Sequence, residues 1–176
     1  MKVYRDIKNL RLKGTAVSIG KFDGVHKGHD LLLSKLKQDP LKKLIFTFDA
    51  AAGTPLDNRD SIVNEEEKLA LLSEYDPDYV VIYKFGKREA NMSPKRFVKS
   101  ILIRKLGMKR IYAGTDFRFG KKGRGDVKML LSLSKKYGFE AVITEKLKYG
   151  GFDISSTRIR TEIKAGHLDE AKEMLG

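Results

Sequence analysis

Two histidines near the N-terminus have the spacing and surroundings of phosphate ligands. His26 and His29 belong to the segment Gly20-Lys-Phe-Asp-Gly-Val-His-Lys-Gly-His29, which follows an apolar run and opens a helical pattern. Being three residues apart, they share one face of that helix. Gly28 lets a ligand approach the backbone, and the helix start adds free amides and the positive end of a dipole. The segment predicts a phosphate cradle with two imidazoles directed at it.

Two other interpretations of these histidines stay open. They could be surface residues that cap a helix, or they could bind a metal ion. Two imidazoles alone make a poor metal site, and the nearest carboxylates, Asp23 and Asp30, lack a recognised ligand spacing.

A second segment near the C-terminus offers similar chemistry. It reads Ile154-Ser-Ser-Thr-Arg-Ile-Arg160, follows Gly150-Gly151 and precedes a helical pattern. Hydroxyl groups and amides at a helix start, with an arginine in the first turn, can hold an oligophosphate. The alternative is an ordinary Ser/Thr cap followed by a surface arginine.

The elements that must position these segments alternate along the chain. Apolar runs predict strands at Thr15–Ile19, Leu44–Phe48, Tyr79–Tyr83, Arg110–Ala113 and Phe139–Thr144. Helical patterns span roughly 25–38, 65–75, 93–106, 126–138, 156–165 and 168–175. This alternation predicts an α/β fold with a mostly parallel sheet and helices on both faces.

In such sheets ligands bind outside the carboxyl ends of the strands. The loops expected there are Gly20–His29, Asp49–Glu65, Gly114–Asp126 and Gly150–Thr157. Both phosphate segments are among them.

Length and composition narrow the class of protein. The chain has 176 residues, 41% of them hydrophobic, and no cysteine. The length predicts a single domain over residues 1–176. The lack of cysteine excludes disulfides and thiolate metal sites and fits the reducing cytoplasm. No apolar run reaches the ~20 residues that span a bilayer, and no signal peptide is evident. We expect a cytoplasmic protein without membrane contact.

Positive charge is concentrated in the second half of the chain. The formal net charge is +13, and the stretch from Lys95 to Lys136 holds fourteen basic residues against two acids, Asp116 and Asp126. Such a field attracts phosphate groups on nucleotides, nucleic acids or acidic membranes. The basic residues are not interleaved with a stacking-aromatic pattern, so we expect no specific nucleic-acid partner.

The two phosphate segments together resemble a known superfamily. His26-Lys-Gly-His29 matches the HxGH motif of the α/β nucleotidyltransferases, and Ile154–Arg160 matches their ISSTxIR motif. Gly114-Thr-Asp-Phe-Arg-Phe-Gly120 and the ending Gly166–Gly176 resemble the FMN adenylyltransferase (FAD synthetase) module of bacterial bifunctional riboflavin kinase/FAD synthetases. The resemblance implies a Rossmann-like nucleotidyltransferase fold. It also implies transfer of AMP from ATP to FMN, giving FAD and pyrophosphate.

The resemblance also implies roles for individual residues. The catalytic residues would be His26, His29 and Arg160. The ATP-binding residues would be Gly20, Phe22, Asp23, Gly24, Gly28, Ser155, Ser156, Thr157 and Arg158. The flavin-binding residues would be Asp116, Phe117, Arg118, Phe119 and Gly120. Mg²⁺ is expected with the triphosphate, and Asp116 is the expected protein ligand for it; a turn residue is the alternative for Asp116, and ordinary core packing is the alternative for the two phenylalanines.

The sequence departs from the family in two places. The family usually carries a Glu-Pro-His-Pro-like turn near the flavin phosphate, whereas residues 48–55 read Phe-Asp-Ala-Ala-Ala-Gly-Thr-Pro. The family usually continues into a riboflavin kinase domain, which we do not find in these 176 residues. Two alternatives therefore stay open: a related adenylyl- or cytidylyltransferase with another phosphate acceptor, and a flavin- or nucleotide-binding homologue without activity. The sequence leaves the oligomeric state open.

Overall fold

The computed structural model describes residues 1–50 and 61–175. Within those ranges six strands form one sheet, and two short strands form a separate hairpin. The strands are β1 (Lys2–Tyr4), β2 (Thr15–Ile19), β3 (Lys42–Ala50), β4 (Tyr79–Phe85), β5 (Met108–Gly114), β6 (Glu140–Thr144), β7 (Lys148–Tyr149) and β8 (Phe152–Asp153). The helices are α1 (Lys27–Lys37), α2 (Glu65–Ser73), α3 (Lys87–Ala90), α4 (Pro94–Arg96), α5 (Val127–Tyr137), α6 (Ser156–Ala165) and α7 (Leu168–Leu175). A π-helix (Phe97–Ile103) continues α4, and a 3₁₀ turn spans Lys121–Gly123.

The large sheet is parallel throughout, as the alternation of elements predicts. Its strand order is β1-β4-β3-β2-β5-β6, and each neighbouring pair is parallel. From β2 the chain moves outward to β3 and β4, and then it returns to place β5 on the other side of β2. This reversal opens a crevice at the carboxyl end of β2, where ligands bind in sheets of this kind.

Two hydrophobic layers cover the sheet, one on each face. On one face Ala16 and Ile45 belong to a cluster with Leu33, Leu36 and Leu72 from α1 and α2. On the other face Val17, Leu44 and Ile111 belong to a cluster whose helical members come from the π-helix and α5. Because side chains alternate along a strand, neighbouring residues such as Ala16 and Val17 serve opposite layers.

The structure differs from the sequence prediction in several elements. β1, α3 and the β7–β8 hairpin were not predicted, because runs of two to four residues carry no periodicity. The helix expected from Ser93 does begin with the capping hydroxyl of Ser93, but after α4 it widens into the π-helix. Its buried residues Phe97, Val98, Ile101 and Leu102 suit either helix type, so their pattern does not separate the two. Among the described residues, no helix is long and apolar enough to cross a membrane.

Candidate active site

The two histidines lie together at the start of α1, at the carboxyl end of β2. Their rings are stacked, with centroids 3.7 Å apart and an angle of 17° between the planes. The His29 amide donates to Nδ1 of His26 at 3.3 Å, so His26 caps the helix through its imidazole. The capping alternative from the sequence is therefore confirmed for His26, although its ring is buried and not at the surface.

Burial keeps both imidazoles neutral. Desolvation lowers the pKa of His26 to about 4. Desolvation and the neighbouring His26 hold the pKa of His29 well below its ordinary range. Because Nδ1 of His26 accepts a hydrogen bond, its proton resides on Nε2, which is then a donor. His29 Nδ1 is buried without a hydrogen-bond partner among the described residues, and a bound ligand is one explanation for an orphaned polar atom of this kind.

Gly28 makes room for the ring of His26. A methyl group at Gly28 would lie 3.2 Å from both Cε1 and Nδ1 of that imidazole. The first helical amides, those of Lys27 and Gly28, have no acceptor within a helix. The absence of a side chain at Gly28 therefore serves the capping imidazole as well as access to these amides.

The rest of the first loop turns inward. Phe22 and Asp23, both expected to bind ATP, expose none of their surface, and Gly24 is buried against Ile62 and Leu175. The backbone is strained on both sides of Asp23, with positive φ at Phe22 (48°) and at the β-branched Val25 (37°). The structure therefore buries all three residues within the loop, although Phe22 also lines the cavity beside the histidines.

The second phosphate segment opens α6, and most of its side chains bond to the protein. Ser155 caps the helix by accepting from the Arg158 amide at 3.2 Å. The hydroxyl of Ser156 donates to the carbonyl of Asp23 at 2.9 Å, and Thr157 Oγ1 accepts from Arg160 at 3.1 Å. What the segment offers a phosphate is mainly the free first-turn amides of Ser156 and Thr157 and the exposed part of Arg160.

Arg158 points away from this surface. Its guanidinium lies 5.7 Å from the ring centroids of both Tyr149 and Phe152 and donates to both of their carbonyls. It thereby fastens the β7–β8 hairpin to α6. The capping alternative therefore holds for Ser155, whereas Arg158 is held by the hairpin and is not the free surface arginine of that alternative.

A cavity of about 530 Å³ opens beside the histidines. Gly20 and His29 line it, so the cavity and the phosphate cradle share part of their walls. The five residues associated with flavin in the sequence line it as well: Asp116, Phe117, Arg118, Phe119 and Gly120. Phe117 and Phe119 stack with centroids 5.3 Å apart, and Phe119 is also a member of the core. Phe119 therefore both packs in the hydrophobic core and lines the cavity, so both interpretations of this residue apply.

Sequence reasoning missed a further wall of the cavity. That wall contains Phe48, Tyr83, Phe85 and Phe97, whose rings contact one another or Phe46. Burial and the nearby carboxylate of Glu89 raise the pKa of Tyr83 to about 12, so its hydroxyl stays protonated. The available signal was positional, because Phe48, Tyr83 and Phe85 stand near the carboxyl ends of their strands.

Asp116 stands at the mouth of the cavity with a cationic partner. Its Oδ2 lies 2.8 Å from Nζ of Lys146, which also lies 3.4 Å from Oδ2 of Asp153. Within the described ranges no cluster of three or more metal-ligating side chains occurs. One exposed carboxylate is, however, the protein contribution that suits a Mg²⁺ ion arriving on a triphosphate. The departure at Asp49–Pro55 lies outside the described residues from position 51 onward.

Comparison with known proteins agrees with this arrangement. The pattern of the FAD synthetase family matches residues 8–158. The chain is 34% identical to the bifunctional riboflavin kinase/FMN adenylyltransferase of Buchnera aphidicola subsp. Schizaphis graminum, over 100% of this chain and 60% of that protein. It is 33% identical to the protein of the same name from Escherichia coli (strain K12), over 100% of this chain and 59% of that protein. The chain therefore spans about three fifths of the length of these relatives.

A shorter relative and two solved structures extend the comparison. The FAD synthetase of Listeria monocytogenes serovar 1/2a is 32% identical over 96% of this chain and 71% of that protein. The crystal structure of a macrolide-efflux protein from Streptococcus pneumoniae has a TM-score of 0.82 and 26% identity, covering 99% of this chain and 61% of that one. Pantoate-beta-alanine ligase from Francisella tularensis shares the fold alone, with a TM-score of 0.61 and 16% identity over 97% of this chain and 78% of that one. The chain belongs to the FAD synthetase family.

Proposed function

We propose that this chain transfers the AMP moiety of ATP to FMN, giving FAD and pyrophosphate. The observation that carries the proposal is the shared wall between an aromatic cavity and a phosphate cradle, formed by Gly20 and His29. Stacked and edge-on aromatic rings suit a flat fused-ring ligand. Helix-start amides and imidazole donors suit phosphates. A ligand that carries both groups, such as FMN, would span the two regions.

The chemistry needs little help with proton transfer. An oxygen of the FMN phosphate attacks the α-phosphorus of ATP, a new P–O bond forms, and the bond from that phosphorus to the bridging oxygen breaks to release pyrophosphate. A phosphate monoester is already anionic near neutral pH, so no strong general base is required. Catalysis then depends on positioning and on stabilising the charge of the transferring group.

The residues divide this work by position. Nε2–H of His26 and the amides that open α1 donate to the α-phosphate, and His29 stands between it and the flavin cavity. Arg160 and the amides that open α6 hold the β- and γ-phosphates of the leaving pyrophosphate. Tyr83, Phe117 and the other cavity residues hold the isoalloxazine ring.

Mg²⁺ is part of the proposal. The ion would neutralise charge on the triphosphate, and Asp116 is the residue that would hold it at the cavity mouth. Lys146, now paired with Asp116 and Asp153, would then keep only the Asp153 contact and would interact with the phosphates in place of Asp116. We place the reaction in the cytoplasm, where ATP is available.

The direct test incubates the purified chain with FMN and Mg-ATP and follows FAD and pyrophosphate by chromatography. We expect both products in equal amounts and neither product when FMN is omitted. Parallel reactions with CTP, or with phosphopantetheine or a sugar-alcohol phosphate as acceptor, test the related transferases. Product from one of these pairs and none from FMN would replace the proposed function. Binding of FMN and ATP without product would identify an inactive homologue.

A further inference from the structure

We propose that Asp23 is a positioning residue that holds the guanidinium of Arg160 at the phosphate cradle and makes no contact with ATP. The inference rests on the proposed function, because it assigns a role within that reaction. Four groups from two distant parts of the chain, residues 62–63 and α6, converge on this one residue.

The carboxylate of Asp23 has no surface left for a ligand, because its exposure is 0%. Oδ1 accepts hydrogen bonds from the amides of Ile62 at 2.8 Å and Val63 at 3.4 Å. Oδ2 accepts from Nη1 of Arg160 at 2.7 Å. Both oxygens are therefore used within the protein, as a buried charge requires.

The pairing determines where the charge of Arg160 lies. Nη1 is held by Asp23 and Nη2 donates to Thr157 Oγ1 at 3.1 Å. A planar guanidinium with two such contacts has its orientation defined. The side chain remains 22% exposed, and that part can meet a phosphate without a search through rotamers.

The backbone of Asp23 contributes to the same arrangement. Its carbonyl accepts from the hydroxyl of Ser156 at 2.9 Å, which binds the start of α6 to the first loop. The strained conformations of Phe22 and Val25 on either side persist only where surrounding contacts hold them. Asp23 therefore determines the separation of the two phosphate-binding loops as well as the orientation of Arg160.

Asp23→Asn separates positioning from direct binding. Asparagine keeps the shape and an oxygen that can accept from the Ile62 amide, but it removes the charge that holds Arg160. The released guanidinium remains charged and can still attract ATP, although no longer in one orientation. We expect kcat to fall by about tenfold or more while the Kd of ATP changes by less than about threefold, because the loss falls on transition-state alignment. The Kd of FMN should not change.

A double-mutant cycle with Arg160→Ala makes the test specific. If Asp23 acts through Arg160, Asp23→Asn should lower kcat/KM by less than about twofold in the Arg160→Ala background. The change in Tm should reverse its sign. Asp23→Asn lowers Tm in the wild type, but it raises Tm in Arg160→Ala, where it removes a buried charge that has lost its hydrogen-bonded cation.

Asp78→Asn is the matched control. Asp78 likewise accepts from a backbone amide, that of Lys43, and from a cation, Lys42, each at 2.8 Å, but at the amino end of β3 and away from the cradle. The Asp78→Asn variant should have the kcat of the wild type. Equal kcat in active wild type and Asp23→Asn, or independent effects of the two substitutions on kcat/KM, would overturn the positioning role. A wild type that makes no FAD would instead overturn the proposed function, and this inference with it.

Discussion

The imidazole of His26 combines a structural and a chemical role in one ring. Nδ1 accepts the amide of His29 and caps α1, and this leaves Nε2–H as a donor. A neutral imidazole with a defined tautomer can donate to a phosphate over the whole pH range in which it stays unprotonated. The low pKa of His26 is therefore compatible with phosphate binding and does not require an imidazolium.

The low pKa of His26 also predicts how stability depends on pH. The unfolded imidazole titrates near its ordinary value of 6.5 and the folded one near about 4. Between these values the unfolded state binds more protons, so the free energy of unfolding falls as the pH is lowered from 6.5 towards 4. We expect His26→Asn, which retains a capping oxygen, to reduce this loss by on the order of 2 kcal/mol. Urea unfolding of both proteins at pH 7.5 and pH 4.5 measures the difference. Parallel curves for the two proteins would contradict the assigned pKa.

His29 gives a kinetic prediction. Its ring lies between the cradle and the aromatic cavity, so His29→Ala should lower kcat/KM for FAD formation by about 10²-fold or more while the fold is retained. His167→Ala is the control, because His167 is exposed and bonded to Glu162. Steady-state kinetics with circular dichroism compare the two variants. Wild-type kinetics in a folded His29→Ala protein would exclude His29 from catalysis.

Some of the site was predictable at the residue scale, and some was not. His26, His29 and Arg160 come from short contiguous segments, and the helix start next to each is visible in the sequence. The inward orientation of Asp23 was not predictable, because its partners Ile62 and Arg160 lie 39 and 137 residues away along the chain. From the sequence alone, a carboxylate in a loop is predicted to face a ligand, because the distant partners that would bury it cannot be identified.

At the scale of elements, the loop after β5 depends on one glycine. Gly120 has a φ of 70°, and a methyl group there would lie 2.6 Å from the backbone nitrogen of Pro94, which begins α4. Gly138 has the same φ, but no atom lies within 4 Å of its methyl position. The two glycines share a backbone conformation and differ in the space around them.

This difference gives a matched pair of variants. Gly138→Ala should cost only the backbone strain, on the order of 1 kcal/mol. Gly120→Ala should cost more, because it also forces the loop away from α4, and it should weaken FMN binding through displacement of Phe119. Thermal unfolding and FMN titration of both variants test this. Equal destabilisation, with FMN affinity unchanged, would show that the loop adapts without effect on the cavity.

The elements themselves were predictable where their pattern is long. α6 and α7 have the predicted boundaries, and α1, α2 and α5 differ from the prediction by a few residues. The cavity wall at Phe48, Tyr83 and Phe85 could not be predicted, because an aromatic residue near a strand end looks the same whether it faces a core or a ligand. Only the packing of β3 and β4 beside β2 shows that these three rings line a cavity.

At the scale of the whole molecule, the net charge of +13 bears on the choice of ligand. The basic stretch 95–136 includes the loop after β5, which lines the cavity at the carboxyl edge of the sheet. A field of this sign raises the local concentration of anionic substrates. It also attracts nucleic acid without regard to sequence.

We expect the nucleotide role to dominate at physiological salt. Mg-ATP should bind more tightly than a random-sequence RNA at about 0.15 M salt, and stoichiometric RNA should not inhibit FAD formation. Fluorescence anisotropy across a salt series, together with the chromatographic assay, tests both statements. RNA binding that exceeds Mg-ATP binding under these conditions would point to a nucleic-acid partner instead.

The hydrogen bond between Arg160 and Asp23 joins positions 137 residues apart, and this separation affects how the protein is made. β2 to β5 are complete by residue 114, so much of the sheet can assemble while the chain is still being translated. Closing so long a loop is slow and is rewarded only when both partners are present. We therefore expect the proposed nucleotide site to be completed late in folding. A ribosome-bound chain whose α6 is still inside the ribosome should already protect its sheet from proteolysis, but it should not yet show the proposed transfer of AMP.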